Sequence, residues 1–199
     1  MADVIKDSFN DVTAEMLRVI SDYDSVTGFR GAYNIRQDST CAGRKNSENI
    51  TIDSKTDKPG INITVKPGTK GETVYIPACV THSNVDDLVY NDFFIGEGAD
   101  VTIVAGCGVH SDGSETARHN GIHRFFLEKG ARVLYKEKHI GTGKGAGLRK
   151  IDPVTDAYLK EDSYLEMDTV QLRGVDRTTR STSAVLDKGA KIVVRERIM

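Results

Sequence analysis

GADVTIVAG at residues 98–106, GARVLYKEK at 130–138 and GAKIVVRER at 189–197 are copies of one pattern, a small-residue turn followed by a β-branched strand. A weaker copy, DSYLEMDTV, spans 162–170, and GETVYIPAC at 71–79 precedes them all. Recurrence at about every 30 residues is typical of the stacked coils of a solenoid. The irregular spacing disfavours a propeller. The repeats therefore predict a mainly β protein with the architecture of a parallel β-helix.

The chain before the repeats has a different pattern. Between residue 2 and about residue 22, apolar side chains recur at helical spacing, which predicts an amphipathic helix. No long helical pattern follows residue 25, and residues 85–93 are compatible with a helical turn or a loop. We therefore divide the chain into an N-terminal helical segment, residues 1–24, and a β-helix core, residues 25–199.

Charge and composition exclude several classes of protein. The 29 acidic and 27 basic residues give a formal charge of -2, and no basic stripe favours nucleic acid or a membrane surface. The N-terminus lacks the apolar core of a signal peptide, and no apolar run is long enough for a membrane span. Three cysteines do not make a disulfide framework. These features predict a reduced, cytoplasmic protein.

Superposing the repeats places Cys107 on His139. Both residues have odd numbers, as does Glu137, so in unbroken strands their side chains share one face. If the two copies lie on neighbouring coils, the cysteine and the histidine are about 4.8 Å apart along the stack. Glu137 is a charged residue at a position whose counterparts are mostly apolar, which indicates a functional carboxylate.

Each of these residues also has a purely structural interpretation. Cys107 can be a small apolar filler of the stack, since free cysteines are commonly buried and inert. Its flanking glycines allow a close backbone approach, and they would also let a modified sulfur swing. His119 and His123 are four apart, which suits two metal ligands on a helix, but HNGIHRFFLEKG is better interpreted as a strand with packed or surface histidines.

The remaining cysteines and the glycine-rich loop give weaker signals. Cys79 falls on the opposite face from Cys107 and is predicted to be a core residue, whereas Cys41 lies in a polar loop. GTGKGAG at 141–147 lacks the frame of a phosphate-binding loop and is predicted to connect two coils. No Ser-His-Asp order and no Cys-x-x-Cys pair is present.

Four long motifs occur in the order known from one family. GAYNIR (31–36), DKPGINITVKPGTKGETVYIP (57–77), NDFFIGEGADVTIVAGCGVH (91–110) and HNGIHRFFLEKGARVLYKEKHIGTGKGAG (119–147) resemble the SufB/SufD family of iron–sulfur cluster assembly scaffolds. The likeness is greatest to the short SufB-like form of minimal two-component systems, and it runs from about residue 30 to the end. It implies a right-handed parallel β-helix, a non-enzymatic scaffold, and a transient iron–sulfur cluster as cargo.

The resemblance also implies roles for individual residues. Cys107, in AGCGVH, matches the strand–Gly–Cys element of the sulfur acceptor. Glu137 corresponds to an internal tunnel residue, with His139 beside it as a ligand or proton relay, and His119 matches a histidine that opens the following strand. Two polar residues of GAYNIR resemble side chains that line the same tunnel, namely Asn34 and Arg36.

The resemblance further implies partners, and it leaves alternatives open. The partners are a SufC-type ABC ATPase, a second SufB/SufD-like chain in a homodimer or heterodimer, and a sulfur donor such as a cysteine desulfurase. The chain stops on the strand-like KIVVRERIM, so we expect a β-helix that is incomplete at its C-terminus. The alternatives are a chemically silent SufD-like partner-binding subunit, and a β-helix enzyme acting on polysaccharide, which would need carboxylates on an exposed groove.

Overall fold

The structure, a computed structural model, describes residues 4–5, 7–23 and 27–199. One helix and sixteen strands are present in this part of the chain. In chain order they are β1 Val4–Ile5, α1 Asp11–Ile20, β2 Ala32–Gln37, β3 Thr40–Lys45, β4 Ile50–Ser54, β5 Gly60–Val65, β6 Lys70–Val80, β7 Asp86–Ile95, β8 Asp100–His110, β9 Ala117–Leu127, β10 Arg132–Thr142, β11 Arg149–Ile151, β12 Val154–Leu159, β13 Tyr164–Gln171, β14 Arg177–Thr178, β15 Ser181–Leu186 and β16 Lys191–Ile198.

The strands form a β-helix of about four turns, as the repeats predict. The first sheet has the order β1-β3-β2-β6-β8-β10-β13-β16, and the second has the order β14-β11-β9-β7-β5-β4, with β12 joining β9 to β15. From β6 onward, successive strands of the first sheet pair in parallel, and so do β5, β7, β9 and β12 of the second. Alternate side chains of both sheets therefore point into one shared interior.

The register of the first sheet follows the repeat. Asp100 pairs with Arg132, Arg132 with Tyr164, and Tyr164 with Lys191. The upstream copy, which forms β6, also pairs with β8, but an irregularity between Lys70 and Glu72 shifts the register of this pair. Because the strands stay in register beyond this point, the facing of side chains inferred from the repeat is confirmed.

Two local predictions are wrong. The helix occupies only Asp11–Ile20, and Asn10 caps it by accepting a hydrogen bond of 2.9 Å from the backbone N–H of Thr13. Val4–Ile5, which we placed in the helix, pairs antiparallel with β3, and residues 1–3, 6 and 24–26 lie outside the described residues. Residues 85–93 fall almost entirely in β7, because a strand in that place completes the ladder between β5 and β9.

Helix α1 packs on the outside of the first sheet. Its buried residues Met16, Leu17 and Ile20 form an apolar cluster with side chains from that sheet. Gly106 and Gly108 make room for it: a methyl group on Gly106 would lie 2.5 Å from the carbonyl oxygen of Ile20, and one on Gly108 would overlap the sulfur of Met16. In the described part of the chain, no helix has the length and apolar character needed to cross a membrane.

We expect Gly106→Ala to destabilise the fold by about 2 kcal/mol, since overpacking a tight contact forces the helix away from the sheet. Gly113→Ala is the control, because a methyl group there would only approach the side chain of Ser83, at 3.3 Å. Urea unfolding of both variants measures the difference. Equal midpoints for the two variants would show that the helix does not need this close approach.

Aromatic packing fills the interior at one end of the strands. Phe93 of β7 and Phe125 of β9 are fully buried and stack with ring centroids 4.5 Å apart. Tyr135 of β10 meets both rings edge-on from the opposite sheet. This apolar layer closes one side of a second interior layer that is polar, and the candidate site lies there.

The last turn is more open than the others. Leu186 of β15 is 44% exposed and Val194 of β16 is 48% exposed, although their strands pair in register with buried neighbours. No described strand pairs with the outer edges of β15 and β16. The expectation of further coils beyond this point stays a prediction.

Candidate functional site

Three buried side chains with metal-binding atoms meet in the interior. The ligand atoms of Cys107, Glu137 and His139 all lie within 4.8 Å of one another. The three residues are only 5%, 1% and 1% exposed. The arrangement arises because β8 and β10 are direct neighbours, so that Cys107 and His139 pair across the two strands. The contact inferred from the repeat is therefore present.

The glycines beside Cys107 have a structural role. Gly106 and Gly108 continue the parallel pairing of β8 with β10 and lie under α1. The close backbone approach that we expected from them is confirmed by the helix contact. Our expectation that they let a modified sulfur swing stays a prediction. Cys107 faces the interior.

Glu137 is the centre of the polar layer. Its Oε1 accepts a hydrogen bond of 2.9 Å from the hydroxyl of Tyr135, and its Oε2 accepts one of 2.7 Å from Nη2 of Arg180. Burial alone would favour the neutral acid. The interactions with His139, and then the positive charge of Arg180, outweigh burial and hold the pKa of Glu137 well below its usual range. The carboxylate is therefore ionised.

His139 presents an unsatisfied nitrogen to this carboxylate. Its Nδ1 lies 3.3 Å from Oε1 of Gln171, an acceptor, so Nδ1 carries a proton. Its Nε2 lies 3.3 Å from Oε1 of Glu137 and is buried without a hydrogen-bond partner. This nitrogen is therefore placed to accept a proton or to bind a cation.

The thiol of Cys107 is protonated at rest. Burial, and then the negative charge of Glu137, raise its pKa well above the ordinary value. A metal ion bound between Cys107 and Glu137 would reverse this effect, because a coordinating thiol loses its proton. The donor set of one thiolate, one imidazole and one carboxylate suits iron or another borderline transition metal. The residues present therefore fit iron.

A second polar group lies beside the first, since Nε2 of His119 and Nε2 of His123 both approach Gly121. His119 of β9 is buried, and its Nδ1 is 3.0 Å from Oδ2 of Asp87. Arg36 donates hydrogen bonds to both oxygens of Asp87. Burial opposes the ionised form of Asp87, but its bonds to His119 and Arg36 lower its pKa far below the usual value. His119 is thus oriented by Asp87 and does not share the cluster of Cys107.

The predicted tunnel residues face the interior, but they line only a small space. Asn34 and Arg36 border a cavity of about 20 Å³ together with Ala78, whose strand neighbour is Cys107. A cavity of this size holds about one water molecule. The amide oxygen of Asn34 accepts a 2.8 Å hydrogen bond from Nε of Arg44. This region places polar groups next to Cys107, although it is too small for a cluster.

His123 is a site residue that sequence reasoning interpreted as a packed or surface histidine. It is 4% exposed, and its Nε2 lies 3.9 Å from Oε1 of Glu137 and is buried without a partner. Gly121 makes room for the ring, since a methyl group there would lie 2.7 Å from this Nε2. Burial lowers the pKa of His123 to about 4, so its imidazole is neutral at pH 7. Alternation along β9, where the odd-numbered Phe125 and Leu127 are also buried, places His123 inward.

The other two cysteines lie elsewhere. Cys79 is fully buried under α1 on the opposite face from Cys107, and it is a core residue as predicted. Cys41, which we placed in a polar loop, lies on β3 and is exposed. Cys107 is therefore the cysteine that the fold brings to the interior polar layer.

Fold and site together define a parallel β-helix whose interior holds a thiol–carboxylate–imidazole cluster. No protein-family model matches the chain, and comparison with curated proteins and with solved structures gives no match. The functional interpretation therefore depends on the cluster itself and on the sequence motifs described above.

Proposed function

We propose that this protein is a scaffold for iron–sulfur cluster assembly, in which Cys107 accepts sulfur and Glu137 and His139 hold iron. The observation that carries the proposal is the buried cluster of these three residues, with Nε2 of His139 left without a hydrogen-bond partner. A thiol, an imidazole and a carboxylate that converge in the interior form a donor set suited to iron. The resemblance to SufB/SufD scaffolds points to the same chemistry.

The sulfur step needs a proton acceptor, and His139 can provide one. The Cys107 thiol loses its proton to Nε2 of His139, and the thiolate attacks the terminal sulfur of a persulfide on the donor protein. The new S–S bond on Cys107 forms as the S–S bond of the donor breaks. The donor leaves as a thiolate, which takes up a proton. No external oxidant or reductant is required.

Iron would then bind between the persulfide of Cys107 and the two other ligands, which are the imidazole of His139 and the carboxylate of Glu137. Arg180 at present donates a hydrogen bond to Oε2 of Glu137 and is 12% exposed through its side chain. Iron binding to this carboxylate competes with Arg180, so loading requires the guanidinium to move. A partner that opens this turn would allow loading, and the SufC-type ABC ATPase implied by the resemblance would fill that role. A second SufB/SufD-like chain and a cysteine desulfurase complete the proposed set of partners.

Mass spectrometry of sulfur transfer tests the proposal. The protein is incubated anaerobically with a cysteine desulfurase and cysteine, and the labelled residue is identified by peptide mapping. Cys41→Ser serves as the background, because Cys41 is exposed and would react on its own. In this background we expect an adduct of one sulfur atom on Cys107, and none after Cys107→Ser.

Cys79 is the matched control for this experiment. It is as buried as Cys107, but it faces the apolar cluster under α1 and is not a member of the cluster of Cys107, Glu137 and His139. Cys79→Ser should leave the adduct unchanged. Equal labelling of Cys79 and Cys107, or no labelling of either, would contradict a sulfur-acceptor role. The chain would then be better described as a partner-binding subunit without its own chemistry.

A further inference from the structure

The outer face of the second sheet stacks three cations in register. Arg118 of β9 pairs with Lys150 of β11, and Lys150 pairs with Arg177 of β14. Each of these residues alternates with inward-facing neighbours such as His119 and Ile151, so all three side chains point outward. Paired strands are about 4.8 Å apart, and like charges directly opposite each other destabilise a sheet.

The nearby acids compensate one end of this stack only. Arg118 contacts Oδ2 of Asp86 at 3.8 Å and Oδ2 of Asp152 at 3.1 Å. The other oxygen of Asp152 accepts a 3.0 Å hydrogen bond from the backbone N–H of Thr179. Lys150 and Arg177 form no salt bridge within the described ranges 7–23 and 27–199. Positive charge is therefore concentrated at one end of the stack.

The three cations line a cleft with further polar groups. The cleft has a volume of about 450 Å³, and Thr179 and Ser181 add hydroxyl groups to its wall. Asp152 also lines it, and the side chain of this acid is 20% exposed. A ligand that satisfies this lining must accept hydrogen bonds from the cations and donate one to the carboxylate of Asp152.

We propose that this cleft binds a phosphate group that carries a proton. Such a group offers several charged oxygens to Arg118, Lys150 and Arg177, and its P–OH can donate to the carboxylate of Asp152. Sulfate at neutral pH offers the charge without the proton. Inorganic phosphate and the phosphate of a larger molecule share this chemistry. The site is separate from the interior cluster and does not depend on the proposed sulfur chemistry.

Thermal unfolding at constant ionic strength tests the site. Millimolar sodium phosphate, sodium sulfate and sodium chloride are compared for the wild type and for the double variant Lys150→Gln/Arg177→Gln. At a phosphate concentration about 100-fold above Kd we expect the wild-type Tm to rise by about 5–10 °C. In the double variant this rise should disappear. Sulfate should give a clearly smaller rise than phosphate.

The stability of the double variant in the absence of phosphate is an independent test. Because the stacked cations repel one another, we expect the double variant in chloride to be at least as stable as the wild type. Lys136→Gln/Lys191→Gln is the control, since both lysines are exposed on the first sheet and form no salt bridge in the described part of the chain. This control should keep the full response to phosphate.

Three results would overturn the proposal. They are a phosphate response that persists in the double variant, an equal response to phosphate and sulfate, and a loss of the response in the lysine control as well. A parallel series with AMP separates the two sources of the phosphate group. A larger rise with AMP than with inorganic phosphate at equal concentration identifies a phosphomonoester, and a smaller rise identifies free phosphate.

Discussion

Replacing Glu137 with glutamine is expected to destabilise the folded protein by about 3 kcal/mol. The substitution removes the charge that compensates Arg180, whose side chain is 12% exposed and whose Nη2 donates to the carboxylate at 2.7 Å. Removing one partner of a buried ion pair commonly costs about 3–5 kcal/mol. We expect the lower end of that range, because Arg180 keeps a second contact, at 2.9 Å, with Glu196.

The double variant Glu137→Gln/Arg180→Gln distinguishes this explanation from a packing defect. If the loss arises from an unpaired charge, removing the guanidinium should restore much of the stability, and urea unfolding of the single and double variants measures the coupling. Arg180→Gln alone should also be destabilising, since it leaves the carboxylate buried. Strictly additive losses would contradict the ion-pair explanation.

The second large effect is a loss of stability with falling pH that depends on His123. The folded-state pKa of His123 is lowered to about 4 by burial, whereas an unfolded histidine has a pKa of about 6.5. Between these two values the unfolded chain binds the proton and the folded chain does not. Stability must therefore fall as the pH is lowered from about 6.5 to about 4, by a total of roughly 3 kcal/mol.

Urea unfolding of the wild type and of His123→Gln at pH 7 and pH 5 measures this effect. The variant cannot titrate at this position, so its loss of stability between the two pH values should be smaller than that of the wild type. His82→Gln is the control, because the side chain of His82 is 55% exposed. Parallel pH profiles for the wild type and His123→Gln would show that His123 is not held neutral by the fold.

The part of the site that depends on strand register could be predicted from the sequence. Cys107 and His139 occupy equivalent positions of the repeat, and a parallel solenoid stacks equivalent positions. Glu137 follows from the same argument, because it shares the odd-numbered face. The sequence does not show that α1 packs against the glycines beside Cys107.

The remaining site residues come from segments that the repeat does not cover. Arg180 lies between β14 and β15, and its side chain reaches Glu137 across 43 positions of sequence. Gln171 is the exception, because it occupies the same position of its repeat copy as Cys107 and His139, and the end of β13 stays in register with His139. His123 lies on the second sheet, and the distance between the two sheets cannot be obtained from a repeat. The contacts of Arg180 and His123 depend on side-chain packing across the interior and not on periodicity.

The measurement that tests the central claim most directly is anaerobic reconstitution with ferrous iron and sulfide, followed by absorption and Mössbauer spectroscopy. The samples are the wild type, Cys107→Ser, His139→Gln and the control Cys79→Ser. Wild type and Cys79→Ser should show the same sulfur-to-iron charge-transfer bands and bound iron, and both should be lost or strongly reduced in Cys107→Ser and His139→Gln. Equal spectra in all four samples, or no bound iron in the wild type, would contradict the assignment of the interior cluster as a site of iron–sulfur assembly.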